Sequence, residues 1–351
     1  MELGAEVIVE SGVGIGSRAT DSEYEAAGAR VGEDRPALLS NADVVLRLNK
    51  PDVEEIGTLK KGAIHISFLD PFNEKALVTA MAERGVYSVC MELIPRSTRA
   101  QKMDALSSQA SLAGYVAVIL ASDRLQSAFP MMTTPAGTLY PARVFIIGAG
   151  VAGLQAIATA KRLGARVEAF DTRPAAAEQI ESLGARSVKV DLGEQEETKD
   201  GYAKELTPEQ LSKQRQVMAQ HCASADVVVT TAQVFGRKAP LIVTEEMVAG
   251  MRPGSVVVDM AVETGGNVAG SVAGKEIEVN GVRLVGLTNL AGRVPVHASQ
   301  MYSSNVCNFV TEFWNAESKT LVLDPEDEIV AGCLITSNGS VVNERLEEHY
   351  S

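Results

Sequence analysis

Three glycines and one acid have the types and spacing needed to bind a dinucleotide. Gly148, Gly150 and Gly153 directly follow the apolar residues 144–147. In this pattern the first glycine permits a tight turn, the second lets a pyrophosphate approach the backbone, and the third packs a helix closely on the strand. Asp171 ends the next apolar run, where it can bind both hydroxyls of an adenosine ribose and would repel a 2′-phosphate. The pattern predicts binding of NAD(H) rather than NADP(H).

The elements around this motif agree with it. Residues 154–163 have a helical pattern, and the free N–H groups and positive dipole end of that helix would favour phosphates. Arg173 lies two residues beyond the acid, where an arginine can accept a 2′-phosphate. Because Asp171 holds the position at the strand end, we interpret Arg173 as stacking on adenine or facing solvent.

A second group of polar residues, 95–104, follows an apolar run that ends near Glu92. Loops at the carboxyl ends of parallel strands are where such sheets bind ligands. Arg96 could hold a carboxylate, phosphate or amide oxygen, Gln101 could bind ribose hydroxyls or a carboxamide, and Asp104 could pair with Arg96. The alternative is a surface loop with an internal ion pair. Ser107 begins the helix that follows.

Short apolar runs alternate with helical patterns along the chain, which predicts two Rossmann-like α/β domains with parallel sheets. Two long helical patterns, 106–120 and 298–314, flank the dinucleotide motif. We therefore expect a discontinuous first domain, 1–106 plus 297–351, and a second domain, 107–296, with the cleft between them. Residues 1–10 look like a helix end that leads into a strand, so we expect the first domain to lack its first β–α unit. Residues 320–342 are predicted to form a hairpin.

Composition limits the partners. The net charge of −13 argues against nucleic acid, and the four cysteines and four histidines are too dispersed to suggest a disulfide framework or a metal site. No apolar stretch is expected to reach the roughly 18 residues needed to span a bilayer. The polar segment 193–215 is either a mobile lid over the cleft or a solvated surface loop.

Residues 95–115, PRSTRAQKMDALSSQASLAGY, closely resemble the NAD(H)-binding component, domain I of the alpha subunit, of proton-translocating NAD(P) transhydrogenases. The resemblance extends over nearly the whole chain, including 148–156, 200–205 and 252–267. It places the chain in the alanine dehydrogenase and transhydrogenase superfamily.

The resemblance implies roles for individual residues. The nicotinamide end of NAD(H) would be held by Arg96, Gln101, Asp104 and Ser107, the adenosine end by Asp171, Thr172 and Arg173, and the pyrophosphate near Val151. Gly201 and Tyr202 would belong to a mobile loop that closes over the nucleotide. Gln233 lies in a cleft wall where Gln-Val-Phe-Gly replaces the more usual Leu-Ile-Pro-Gly.

The resemblance also implies partners. Members of the family form homodimers and pass hydride directly from NADH to NADP⁺ bound on a separate component. A membrane proton-channel component couples this transfer to proton translocation. The chain would then be cytoplasmic, or on the matrix side in an organelle, and peripheral to the membrane through its partners.

Two other functions compete with this interpretation: an alanine dehydrogenase-like oxidoreductase and a non-catalytic NAD-binding regulatory module. Lys50 resembles the substrate-site lysine of alanine dehydrogenases. Asp70 stands where those enzymes carry histidine, Glu263 stands where they carry aspartate, and their substrate arginine lies in an N-terminal segment absent here. Amino-acid oxidation needs an acid/base group and a carboxylate clamp, whereas hydride transfer between two nicotinamides needs close, oriented rings and excluded water.

Overall fold

The computed structural model describes residues 1–190, 207–233 and 235–350. Contacts within the chain divide it into two compact units, Met1–Gln109 with Pro295–Ser351, and Ala110–Val294. The boundaries expected from sequence differ from these by a few residues.

The described strands are β1 (Ile8–Glu10), β2 (Arg30–Gly32), β3 (Val44–Leu46), β4 (Ile64–Ser67), β5 (Tyr87–Cys90), β6 (Met132–Thr134), β7 (Gly137–Leu139), β8 (Arg143–Ile147), β9 (Arg166–Phe170), β10 (Arg186–Ser187), β11 (Val227–Thr230), β12 (Val256–Asp259), β13 (Lys275–Val279), β14 (Val282–Gly286), β15 (Trp314–Asn315), β16 (Thr320–Leu321), β17 (Leu334–Ser337) and β18 (Ser340–Val341). The described helices are α1 (Asp21–Ala26), α2 (Arg35–Asn41), α3 (Lys75–Arg84), α4 (Ala105–Arg124), α5 (Val151–Arg162), α6 (Ala176–Ser182), α7 (Pro208–Ser224), α8 (Glu245–Ala249), α9 (Pro295–Phe313), α10 (Glu328–Cys333) and α11 (Glu344–Tyr350).

The first unit contains a five-stranded sheet in the order β18-β17-β5-β4-β3. Strands β3, β4 and β5 are parallel, and β17 and β18 extend the sheet in antiparallel pairing. Helix α3 buries Leu77, Val78 and Met81, which lie on one helical face, and it ends at Gly85 with φ +75°. A separate parallel pair, β1 and β2, lies in the same unit.

The second unit contains a seven-stranded sheet in the order β10-β9-β8-β11-β12-β14-β13. All neighbouring pairs are parallel except β13 with β14. Apolar clusters cover both faces, as expected for a parallel sheet whose strands are continuous runs of valine, isoleucine and phenylalanine. The chain order reverses between β8 and β11, so the crevice beyond their carboxyl ends is the expected ligand position of such a sheet. The predicted fold class, two α/β units with parallel sheets, is confirmed.

Two predictions about elements are corrected. Residues 320–342 do not form one hairpin, because Glu328–Cys333 is helical and only β17 and β18 pair across the turn at Asn338. Helix Ala105–Arg124 is long and apolar enough to cross a membrane, contrary to the expectation for the chain. Val116, Ala117, Val118 and Ala121 of this helix lie in an apolar core, which accounts for its composition.

Candidate functional site

Each glycine of the dinucleotide motif has a different steric surrounding, and each fits its predicted role. Gly148 adopts φ +99°, and a Cβ there would lie 2.5 Å from the Thr231 hydroxyl oxygen. A Cβ at Gly153 would lie 1.9 Å from the carbonyl oxygen of Gly148. At Gly150 a Cβ would meet nothing within 4 Å, so this glycine leaves open space beside the backbone. The tight turn and the close helix packing are therefore present, and the backbone at Gly150 has open space beside it.

Helix α5 begins directly at this turn. Gly150 is its N-cap, and no side chain caps the first turn, so the first N–H groups of the helix remain available to an anion. Val151 occupies the first helical position and is exposed, whereas Gly153, Ala156 and Ile157 on the opposite face are buried. The small residues on the buried face let the helix approach the sheet, and its positive end lies just after the carboxyl end of β8.

Asp171 follows β9, and local groups fix its carboxylate. Its Oδ2 accepts a hydrogen bond from the N–H of Ala149 (2.7 Å), and its Oδ1 accepts one from the N–H of Arg173 (2.8 Å). The Arg173 guanidinium donates to both oxygens through Nε (3.0 Å) and Nη2 (3.1 Å). Arg173 therefore contacts the acid, which differs from its predicted stacking or solvent-facing role. Thr172 between them is half-buried.

The loop at 95–104 is anchored by two of its own cations, which were not among the predicted site residues. Arg99 forms ion pairs with Glu312 (3.0 Å) and Asp327 (2.6 Å), and Lys102 also binds Glu312 (2.8 Å). Arg96 and Gln101 are both exposed on the same loop. The anchors hold the backbone that presents these two side chains at the surface.

Asp104 ends this loop and caps α4. Its Oδ1 accepts from the N–H of Ser107 (2.8 Å) and its Oδ2 accepts from the Ser107 hydroxyl (2.6 Å). An aspartate in this position satisfies N–H groups that a helix start otherwise leaves unpaired. The structure thus brings Asp104 and Ser107 together, and the Arg96–Asp104 pair stays a prediction.

Lys50, at the end of the segment after β3, is held by two carboxylates. Its Nζ lies 2.6 Å from Glu74 Oε1 and 3.4 Å from Asp70 Oδ2, and Asn73 donates to the other oxygen of Asp70. Partial burial works to lower the pKa of Lys50, but the Glu74 hydrogen bond and the two negative charges outweigh it and raise that pKa. The ammonium group is therefore kept charged and paired, and Asp70 itself adopts φ +49°.

Glu92 holds the loop that carries Asp70. Its carboxylate accepts from the N–H of Leu69 (2.9 Å) and the N–H of Asp70 (2.8 Å), and the Cys90 thiol lies 2.9 Å away. Burial raises the pKa of Glu92, and these hydrogen bonds offset that effect only in part. In the sequence, a charge directly after a buried strand is the signal that points to Glu92, which was not among the predicted site residues.

The remaining predicted residues are placed as follows. Gln233 is exposed in the loop after β11, and Glu263 is exposed and accepts from the N–H of Asn289 (3.4 Å). Gly201 and Tyr202 lie outside the described residues. Within residues 1–190, 207–233 and 235–350, no group of three or more His, Cys, Asp or Glu side chains could hold a metal ion.

These observations define a class: an α/β protein of two units, the second of which has the strand order, glycine turn and strand-end acid of a dinucleotide-binding domain. Sequence-family models for the N-terminal and C-terminal domains of "Alanine dehydrogenase/PNT" match residues 1–113 and 117–344. The chain belongs to this family, as the resemblance predicted.

Individual relatives distinguish the two branches of the family. The chain is 46% identical to an NAD(P) transhydrogenase subunit alpha chain of Rhodospirillum rubrum, over 98% of this chain and 91% of that protein. A crystal structure of transhydrogenase from Sinorhizobium meliloti is 46% identical with a TM-score of 0.84, covering 98% of this chain and 92% of that one. Alanine dehydrogenase of Mycobacterium tuberculosis is 27% identical, over 98% and 88% of the two chains. The chain is thus more similar to these transhydrogenases than to that dehydrogenase.

Proposed function

We propose that this chain is the NAD(H)-binding component of a proton-translocating NAD(P) transhydrogenase. It binds NADH, and hydride passes directly to NADP⁺ on a separate NADP(H)-binding component, while a membrane component couples the transfer to proton movement. The chain would be cytoplasmic, or on the matrix side in an organelle, and peripheral to the membrane through those components. The identities to transhydrogenase subunits support the proposal.

The observation that favours one reaction over the other is the pairing of the Lys50 ammonium group with two carboxylates. An amino-acid dehydrogenase needs a group that can bind the substrate carboxylate and another that can exchange a proton. Here the Lys50 ammonium is paired with Glu74 and Asp70, and Asp70 replaces the histidine expected of a dehydrogenase. Hydride transfer between two nicotinamide rings needs neither group, so this arrangement favours transhydrogenation.

The residues of the second unit would hold one end of the dinucleotide. The open space at Gly150 and the free N–H groups of α5 would take the pyrophosphate, next to Val151. Asp171 would accept hydrogen bonds from the ribose hydroxyls, which would displace the Arg173 guanidinium and free it to bind the adenosine end together with Thr172. The bound nucleotide supplies the hydride, at C4 of its nicotinamide ring.

The residues of the 95–104 loop would orient the other end. Arg96 and Gln101 would bind the nicotinamide carboxamide or its ribose, and Asp104 with Ser107 would fix the loop end. These groups position the ring and exclude water, and no proton needs to be exchanged at the reacting carbon. The predicted closing loop with Gly201 and Tyr202, and the wall residue Gln233, complete the proposed site.

The proposal is tested by mixing the purified chain with NADH and the NADP⁺-loaded component from the same organism, and measuring NADPH formation. Transfer that requires both proteins is the expected result. Alanine-dependent NAD⁺ reduction by the chain alone would instead identify a dehydrogenase. NADH binding without either reaction would identify a regulatory module.

Gln101→Ala tests the orienting role. The variant should slow hydride transfer far more than it weakens NADH binding, because the contact is proposed to orient the ring rather than to supply most of the affinity. Gln126→Ala, at another exposed glutamine, is the matched control and should change neither quantity. Equal losses of rate and affinity in Gln101→Ala would contradict an orienting role.

We further propose a homodimer, as the family resemblance implies. The hairpin β6–β7 carries exposed apolar side chains at Met131, Met132, Leu139 and Tyr140, the last 84% exposed. Large apolar side chains concentrated on one exposed hairpin are typical of an interface. Tyr140→Glu should shift the mass measured by light scattering from dimer to monomer, whereas Val272→Glu, at an exposed valine elsewhere in the second unit, should not.

A further inference from the structure

The loop 231–233 follows β11 and lies next to the glycine turn that follows β8. One buried side chain, Asn267, holds it. Asn267 Oδ1 accepts from the N–H of Ala232 (3.1 Å), and its Nδ2 donates to the carbonyl of Ala232 (2.8 Å) and to that of Pro240 (2.8 Å). The amide therefore satisfies both backbone groups of Ala232, as a neighbouring strand would.

Asn267 is itself firmly mounted. The buried carboxylate of Asp259, at the end of β12, accepts hydrogen bonds from the N–H groups of Asn267 (3.1 Å), Val268 (3.2 Å) and Ala261 (3.0 Å). Gly266 adopts φ +80°, and a Cβ there would lie 2.8 Å from Asp259 Oδ2. The segment from Asp259 to Asn267 is thus shaped to present one amide to the loop.

The other side of the loop touches the dinucleotide motif directly. The Thr231 hydroxyl donates to the carbonyl of Gly148 (3.1 Å), and the Thr231 N–H donates to the carbonyl of Ile147 (2.8 Å). Because Thr231 and Ala232 are adjacent, a shift of Ala232 would be transmitted to the Gly148 turn.

We propose that Asn267 is a positioning residue for NAD(H). It does not touch the nucleotide; it holds the 231–233 loop against the Gly148 turn, so that the binding surface is formed before the nucleotide arrives. This inference rests on the proposed binding of NAD(H) by the second unit. Pre-formed surfaces bind more tightly because less ordering remains to be done on binding.

Asn267→Asp is the central experiment. The substitution keeps the shape but turns a carboxylate oxygen toward two carbonyl oxygens, beside Asp259. At pH 8 the repulsion should displace Ala232 and raise the NADH dissociation constant about tenfold relative to wild type. Burial and the Asp259 charge should raise the pKa of the introduced carboxyl. At pH 6 its protonated form can donate one hydrogen bond, so most of the lost affinity should return.

Asn280→Asp is the matched control for this pH response. Asn280 is exposed in the β13–β14 turn at φ +52°, a conformation that aspartate tolerates. The NADH affinity of the Asn280→Asp variant, relative to wild type, should be the same at pH 6 and pH 8.

Two variants of Thr231 test the transmission to the turn. Thr231→Val removes the hydroxyl that donates to the Gly148 carbonyl and should lower NADH affinity several-fold. Thr231→Ser keeps the hydroxyl and should retain wild-type affinity. If both residues act through the loop, the double variant Asn267→Asp/Thr231→Val should lose less affinity than the product of the single losses. If Asn267→Asp fails to fold, the two single Thr231 variants still test whether the loop acts on the Gly148 turn.

Hydrogen exchange at the Ala232 amide separates this inference from the proposed function. In the nucleotide-free chain the amide should exchange faster in Asn267→Asp than in wild type at pH 8. Unchanged exchange, or a folded variant with wild-type NADH affinity at pH 8, would overturn the positioning role. If exchange is faster in Asn267→Asp but the wild-type chain does not bind NADH, Asn267 does hold Ala232 and the proposed function is refuted.

Discussion

The candidate site of the second unit consists mainly of backbone groups, whereas that of the first unit consists mainly of side chains. In the second unit the site is formed by backbone: a glycine turn, the start of α5, and a loop that an asparagine holds by its peptide groups. In the first unit it is formed by side chains, with Lys50 between Asp70 and Glu74, and Arg99 and Lys102 anchoring the 95–104 loop.

The two sheets differ in how many polar side chains their strands bury. Strands β8, β11 and β12 of the second unit bury apolar residues almost throughout, whereas the first sheet buries His65, Ser67, Ser88 and Thr336. A site formed mainly by backbone should be most sensitive to added volume. A site formed by charged side chains should be most sensitive to the loss of one of those groups, and the fold around it should respond to pH.

The largest effect is expected from one methyl group at Gly153. In Gly153→Ala the new carbon would lie 1.9 Å from the Gly148 carbonyl oxygen and 3.1 Å from the Thr231 hydroxyl oxygen, and the Gly148 backbone leaves little room for movement. The free energy of unfolding of the second unit should fall by about 3 kcal/mol. Urea unfolding followed by circular dichroism measures the loss.

Gly150→Ala separates folding from binding at the same turn. Its new methyl group meets nothing within 4 Å, so stability should be retained while NADH affinity falls, since the methyl occupies the proposed phosphate space. Gly57→Ala, in the first unit and also in open space, is the control for the substitution itself. Unchanged NADH affinity in Gly150→Ala would contradict a phosphate site there.

Asp171 is the charged side chain of the second unit that is proposed to bind the ribose hydroxyls. Asp171→Asn should weaken NADH by roughly 10- to 100-fold, because a charged acceptor for the ribose hydroxyls is lost. Discrimination against NADPH should weaken as well, since the repulsion of a 2′-phosphate disappears. Dissociation constants for both nucleotides test this, with the exposed Asp123→Asn as the matched control. A variant that still discriminates fully would move the specificity elsewhere, to Arg173 or its surroundings.

The same contrast explains what the sequence could and could not predict. The glycine spacing and Asp171 were readable because backbone geometry restricts residue types strongly at each position. The contacts of Arg99 and Asn267 were not readable, because each joins residues far apart in the chain, such as Arg99 with Glu312 and Asp327. The contacts of Arg173 without nucleotide were not readable for a related reason: its guanidinium has a nearby carboxylate and carbonyl to bind, and sequence alone does not rank those against adenine or solvent.

Glu92→Ala should damage the first unit without affecting the second. It removes the acceptor for two backbone N–H groups, those of Leu69 and Asp70, and an unpaired buried donor is costly. The free energy of unfolding of the first unit should fall by about 2 kcal/mol. Fluorescence of Trp314, the single tryptophan of the chain, reports on this unit during urea unfolding.

Glu83→Ala, on the exposed face of α3, is the matched control for Glu92→Ala and should leave the unfolding curve unchanged. Direct NADH binding to the folded variant gives the second readout. If Glu92→Ala lowered NADH affinity as much as it lowers stability, the two sites would not be built independently.

The smallest effect concerns His65, which lies within β4 of the first sheet. The side chain is fully buried, and neither ring nitrogen has a hydrogen-bond partner among the described residues. Burial lowers the pKa of His65 to about 3, and the positive charge of Arg47 adds to the shift. In the unfolded chain the same ring titrates near its ordinary pKa of about 6.5.

The sign of the pH effect follows from these two values. Between about pH 6.5 and pH 3 the unfolded chain binds a proton at His65 that the folded chain does not, so acid favours unfolding. The part of the unfolding free energy that depends on a neutral His65 is fully present above pH 6.5. It should decline by about 1 kcal/mol between pH 7 and pH 5.5. Glu92, whose pKa is raised by burial, gives a slope of opposite sign, in which stability is lost as pH rises.

His65→Leu isolates the histidine, because Glu92 and all other acids are common to both proteins. The difference in unfolding free energy between variant and wild type, measured through Trp314 fluorescence, should therefore grow in favour of the variant as pH falls. His297→Leu, at an exposed histidine of the same unit, should run parallel to wild type. Parallel curves for His65→Leu would mean that the ring is protonated or hydrated inside the folded sheet, and the acid sensitivity expected of the first unit would then have to come from its ion pairs instead.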